Sequence, residues 1–157
     1  MTASSPVSPS LLAAKAFFGT AHPLFSALGI EVEEMSREGA AMSMACVHDV
    51  QDCRGAAHRG AISTLLDTTC GLAIFARLGD MRPIATIDLR VDFIAPPTPG
   101  EGVYCKVTCF AVAGEVAYVR GEARGRDSGS LLASTSGSFA IGTLGPSFDR
   151  AARRKDE

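Results

Sequence analysis

No two of the five cysteines, Cys46, Cys53, Cys70, Cys105 and Cys109, stand in CxxC spacing, and their number is odd. That usage suits free thiols in a reducing compartment, so a cytoplasmic location is expected. Charge of one sign is also missing. A formal net charge of −2 and a pI near 5.9 leave no uniform basic surface, which argues against nucleic acid or an anionic membrane as partner. Residues 1–10 are polar and contain Pro and Ser, without the basic stretch and apolar run of a signal peptide. The longest apolar stretch, residues 60–76, is interrupted by Ser63, Thr64, Asp67, Thr68 and Thr69, and reads as a core helix rather than a bilayer span. There is no GxSxG elbow to support a serine hydrolase. His48, Asp49, Asp52, Cys53 and His58 include no pair at a recognised zinc spacing, so no metal is expected. A small-molecule substrate is the partner class that remains.

What is present is enough for one domain. Of the 157 residues, 46% are hydrophobic and 20% charged, which supports a core of ordinary size. Residues 1–10 read as disordered, 11–147 as the domain and 148–157 as a charged, mobile tail. Short helices are expected at 11–18 and 22–28. Alternation of Ile30 and Val32 with Glu31 and Glu33, then a β-like run over 40–47, predicts a hairpin. The clearest period of two lies at 85–94, with Ile87, Leu89, Val91 and Phe93 on one face and Thr86, Asp88, Arg90 and Asp92 on the other. Pro96, Pro97 and Pro99 must end that strand, since proline lacks the ladder donor. Strands at 103–112, 116–124 and 131–141 follow.

One apolar helix between a strand pair and four more strands implies an α+β layout, an antiparallel sheet holding one central helix. Small residues share a face in each of the last two strands, Ala117, Gly121 and Ala123 in one and Ala133, Thr135 and Gly137 in the other. They predict a shallow floor, matched on the helix by Gly60, Ala61, Thr64, Thr68 and Gly71.

The helix carries an odd charge. Asp67 sits in the middle of a segment that is apolar on nearly every side, and an unpaired carboxylate in a core costs several kcal/mol or is neutralised. Asp67 therefore points out through a gap in the sheet's cover or is satisfied by Ser63 or another polar group, both purely structural roles, or it is retained for chemistry. The loop from Asp52 to Gly60 leads straight into the helix start, where free N–H groups and the positive end of the dipole make a natural oxyanion site.

Gly55-x-x-His58-x-Gly60, followed by Thr64-Leu65-Leu66-Asp67, is similar to the G-x-x-H-G-G…t-L-x-D pattern of the hotdog-fold acyl-CoA thioesterases. Among them it resembles the phenylacetate-degradation, or 4-hydroxybenzoyl-CoA thioesterase-like, proteins. The resemblance continues through residues 84–96 and spans roughly residues 22–141. It implies a hotdog fold assembled as a dimer, often paired again into a tetramer. It also implies hydrolysis of an acyl-CoA thioester at a site shared between subunits, with no cofactor beyond the CoA of the substrate. Carried over, Asp67 is the general base or the nucleophile, and the backbone N–H of Arg59 polarises the thioester carbonyl. His58 shapes the loop, Thr86 helps position the water or carboxylate, and Gly60 lies in the substrate-binding turn.

Two positions depart from the pattern. Relatives carry an asparagine where this chain has Asp52, and an ionised Asp52 would repel an oxyanion. Either Asp52 is protonated by coupling to Asp67, or Gln51 supplies the amide, or catalysis is weak. Arg59 replaces a glycine and adds a cation that could pair with Asp52, with an acidic acyl group or with a CoA phosphate. The rival reading is a hotdog protein that binds an acyl-CoA without hydrolysing it. Asp52 favours that reading and Asp67 opposes it.

Overall fold

The structure, a computed structural model, describes residues 23–143; the helix expected at 11–18 and the segments 1–10 and 148–157 lie outside them. The elements run α1 (Pro23–Leu28), β1 (Ile30–Ser36), β2 (Gly39–Met44), a 3₁₀ turn (His48–Val50) and α2 (Arg59–Leu78). β3 (Ile84–Phe93), β4 (Val103–Ala113), β5 (Val116–Gly125) and β6 (Leu131–Ile141) follow. All strand pairs are antiparallel, in the order β1-β2-β4-β5-β6-β3, with β1 and β3 at the edges. A six-stranded sheet around one long helix is the hotdog fold, an α+β architecture.

α2 starts and stops for local reasons. His58 caps its N-terminus, accepting the Gly60 N–H on Nδ1 at 3.0 Å. Gly79, at φ 76°, ends it in the left-handed region with its N–H on the Phe75 carbonyl. By length and composition α2 could cross a bilayer. Its large side chains are instead buried on the sheet: Ile62, Leu65, Leu66, Leu72 and Ile74 meet Met42, Met44, Val103, Val107 and Val119 in one core cluster. Each such side chain contributes roughly 1.5–3 kcal/mol. Cys70, Cys105 and Cys109 are buried free thiols of this core, and burial pushes the Cys70 and Cys105 thiols far up.

The expectation that small residues on helix and sheet pack together is corrected. Ala61, Thr64, Thr68 and Gly71 are only half-buried and Gly60 is exposed, because the bulky stripe of α2 takes the sheet. On the sheet side the expectation holds in part: Ala117, Ala123 and Ala133 are fully buried in the core cluster with the helix, whereas Gly121 and Gly137 are hemmed in by neighbouring strands. A Cβ on Gly121 would lie 2.5 Å from the Lys106 carbonyl oxygen, and one on Gly137 2.7 Å from that of Asp88.

The face assignment of β3 also changes. Its register with β6 shifts between Thr86, opposite Phe139, and Asp88, opposite Ser138, so Ile87 is an extra residue in a bulge. Ile87 is 60% exposed, while Leu89, Val91 and Phe93 pack against the core as expected. Upstream of the bulge the parity reverses. Thr86 and buried Phe139 are partners in the ladder, so Thr86 lies on the helix side with Leu89 rather than with Asp88.

Candidate active site

The loop before α2 is tightly built. Asp52 donates its N–H to the Ala56 carbonyl at 2.8 Å and Gly55 donates back to the Asp52 carbonyl at 3.0 Å, with Gly55 at φ 75°. Gln51 bridges Ala57, and the His58 N–H reaches the Val50 carbonyl. The Gly55 carbonyl faces outward from this turn and accepts the Gly100 N–H at 2.8 Å.

Asp52 is the hub of the turn. Oδ1 accepts the N–H groups of Arg54 (2.8 Å) and Ala56 (3.2 Å), and Oδ2 accepts the Arg54 guanidinium at 2.7 and 3.0 Å. Hydrogen bonding to the Arg54 side chain, then to its backbone, holds the Asp52 carboxyl below the usual carboxylate range. One reading of the sequence is thereby corrected, since the partner of Asp52 is Arg54 rather than Arg59, and the donors gathered on both of its oxygens favour the charged form. The Gln51 amide donates to the Cys46 carbonyl at 2.9 Å, so one of its N–H bonds is engaged within the loop.

Arg59 is the first residue of α2, and its guanidinium lies 5.0 Å from the centre of the Phe93 ring at the end of β3. Its backbone N–H has no hydrogen-bond partner among the described residues, as expected of a first-turn amide. Further along, Asp67 is half-buried and accepts the Thr86 hydroxyl at 2.9 Å. Ser63, the neighbour anticipated for Asp67, donates instead to the Arg59 carbonyl, and Thr64 and Thr68 likewise bond back along the helix. Gly71 approaches Ile84, where a Cβ would lie 3.4 Å from its side chain. Arg59 with Phe93, Asp67 with Thr86 and Gly71 with Ile84 are therefore three rungs between antiparallel α2 and β3.

This arrangement joins the predicted residues in two groups. His58, Arg59 and Gly60 form the helix start, and Asp67 with Thr86 forms a second centre. Eight residues of helix separate Arg59 from Asp67, about 12 Å along the axis at 1.5 Å per residue. Sequence reasoning missed Arg54, although a D-x-R-G turn is where an aspartate folds back on its own backbone. Phe93 was placed correctly in its strand but not beneath Arg59.

Among the described residues there is no group of three or more His, Cys, Asp or Glu side chains that could hold a metal ion.

Residues 54–131 match the thioesterase superfamily. A solved protein from Pseudomonas aeruginosa is 33% identical, with a TM-score of 0.74 over 84% of this chain and 98% of its own. The chain belongs to the thioesterase superfamily. A point mutant of the phenylacetic acid degradation protein PaaI from Thermus thermophilus is 25% identical, with a TM-score of 0.67 over 76% of this chain and 99% of its own. Zebrafish thioesterase superfamily member 2 shares the fold at 19% identity, with a TM-score of 0.76 over 86% and 100% of the two chains. No curated protein matches.

Proposed function

We propose that the protein hydrolyses an acyl-CoA or related thioester to the free acid and CoA thiol, in a site that two subunits share. The observation that carries the reading is the pairing of half-buried Asp67 with Thr86, set about 12 Å along α2 from the free Arg59 N–H. In an assembly, the helix start of one chain faces the carboxylate of its neighbour. Asp67 takes a proton from water as the water attacks the thioester carbonyl. The Arg59 N–H stabilises the oxyanion, and collapse of the intermediate expels the CoA sulfur, which takes the proton held by Asp67 and leaves as the thiol. Thr86 holds the carboxylate through one oxygen and leaves the other for water. No cofactor takes part, and five free thiols suit a cytoplasmic enzyme. The likeness to a phenylacetic acid degradation protein supports an acyl group of that kind.

Incubation with a panel of acyl-CoAs and a thiol reagent tests this, with Asp67→Asn as control because exposed Cys53 also reacts. Rapid-quench single turnover separates a base from a nucleophile. Attack by Asp67 itself leaves the acyl group on its carboxylate as a mixed anhydride until water releases it, whereas a base forms no acyl-enzyme and sends solvent oxygen straight to the product acid. The Asp52 carboxyl, held in its charged form by the Arg54 donors, favours a second reading, a ligand-binding protein without turnover. Tight binding of an acyl-CoA that is never hydrolysed would establish it.

A further inference from the structure

Glu101 is the only charged side chain that is buried among the described residues. A buried carboxylate is costly unless hydrogen-bonded. Glu101 Oε1 accepts the N–H groups of Asp127 at 3.0 Å and Ser128 at 2.6 Å, in the turn between β5 and β6. The Ser128 backbone bond is the first cause holding its carboxyl below the usual range. The fit is close, since a Cβ on Gly125 would lie 2.5 Å from the same oxygen. The β5–β6 turn also reaches back, with the Arg126 N–H on the Gly102 carbonyl at 2.9 Å.

The residue before Glu101 faces the catalytic loop. Gly100, at φ 77°, gives its N–H to the Gly55 carbonyl, which otherwise receives only the weak Cys46 thiol donor at 3.7 Å. Gly55 stands three residues before the His58 cap. The other bonds of that turn, Asp52 to Arg54 and Ala56 and His58 to Val50, stay inside the loop. The Gly100 bond ties it to the connection between β3 and β4, three residues before β4 begins.

We propose that Glu101 is a positioning residue: anchored on the β5–β6 turn, it fixes the Gly100 amide, which through the Gly55 carbonyl sets the start of α2 and the Arg59 N–H. The link to catalysis rests on the thioesterase reading above. Such a residue alters turnover more than binding, because misplacement of a donor by about 1 Å can cost up to about a hundredfold in rate.

The test uses the full-length protein with Glu101→Asp, which retracts the carboxylate by one methylene, and Glu101→Gln, whose amide oxygen still accepts. Residue-resolved hydrogen exchange and acyl-CoA kinetics are read in parallel. In Glu101→Asp the Gly100 amide should exchange at least about tenfold faster, together with Asp127 and Ser128. Its kcat should fall by about tenfold with KM nearly unchanged. Glu101→Gln should recover most of both. The proposal is overturned if Asp127 and Ser128 exchange faster while Gly100 protection and kcat stay at wild-type values. A wild type that hydrolyses no acyl-CoA would sink the hydrolase reading alone, because the exchange of Gly100 decides the coupling by itself.

Discussion

Thr86 donates its hydroxyl to Asp67 across 2.9 Å, and it faces the helix because β3 inserts Ile87 as an extra residue immediately after it. A strand without that bulge would turn Thr86 to the outer face with Asp88 and leave Asp67 without this donor. Asp67→Asn, which keeps shape and removes the base, should lower kcat by at least about a hundredfold with the fold intact. A hydrogen bond to a charged group is worth roughly 1.5–3 kcal/mol, so Thr86→Val should lower kcat by about tenfold or more and Thr86→Ser should restore it. Kinetics on the best acyl-CoA, with circular dichroism as the fold control, check both. Near-normal hydrolysis by folded Asp67→Asn would return Asp67 to a structural role.

The Asp52–Arg54 pair gives a pH prediction with a definite sign. Arg54 depresses the Asp52 pKa, so the turn keeps this support above the ordinary carboxylate range and loses it as pH falls through the depressed value. Arg54→Ala removes the main cause of the depression. The acid limb of kcat/KM contributed by Asp52 should then move to higher pH, while Arg59→Ala should leave it in place. Asp52→Asn should lack that contribution altogether. An alkaline limb in the wild type that disappears in Asp52→Asn would mean that Asp52 carries a proton after all, and would reverse the assignment.

The succession of strands along the chain, the central helix and the oddity of Asp67 were legible because periods of two and 3.6, prolines and glycines are local signals. The direction of Thr86 was not, since a bulge of one residue reverses parity without breaking the alternation of Leu89, Val91 and Phe93. The small face of α2 was misassigned for a related reason. Composition shows that a face is small, but only tertiary packing decides that the bulky Leu65 and Leu66 take the sheet and leave Thr64 and Thr68 half-buried. Asp52 was recognised as a departure, yet its partner two residues away was overlooked in favour of Arg59. Short-range side-chain geometry in a turn depends on rotamers that a residue pattern does not contain.

His58 accepts the Gly60 N–H and so acts on stability as a cap. His58→Ala should cost about 1 kcal/mol, and His58→Asn, a strong cap, should regain it. For a domain of this size that is a fall of about 2–4 °C in Tm. Thermal unfolding followed by circular dichroism measures it. An unchanged Tm in His58→Ala would show that the cap adds nothing to the loop's own hydrogen bonds.

The shared site can be tested by complementation. β3 is a ten-residue edge strand with one side unpaired in the described chain, a natural seam for a second copy. Light scattering at micromolar concentration should show a dimer or tetramer. Arg59→Pro removes the proposed oxyanion donor with little harm to the helix, because proline is favoured at the first helical position. The preceding His58 already has the extended φ −65°, ψ 138° that a following proline requires. Arg59→Ala controls for the lost guanidinium. Asp67→Asn and Arg59→Pro should each be nearly inactive alone. In a mixed dimer, the Asp67→Asn chain supplies the N–H and the Arg59→Pro chain supplies the carboxylate, so one of the two sites is whole. Random assembly makes about half the dimers mixed, so co-refolding the two variants in equal amounts should restore about a quarter of wild-type activity. If both groups acted from the same chain, no mixture would exceed the sum of its parts. A monomer that hydrolyses thioesters would defeat the shared site more directly.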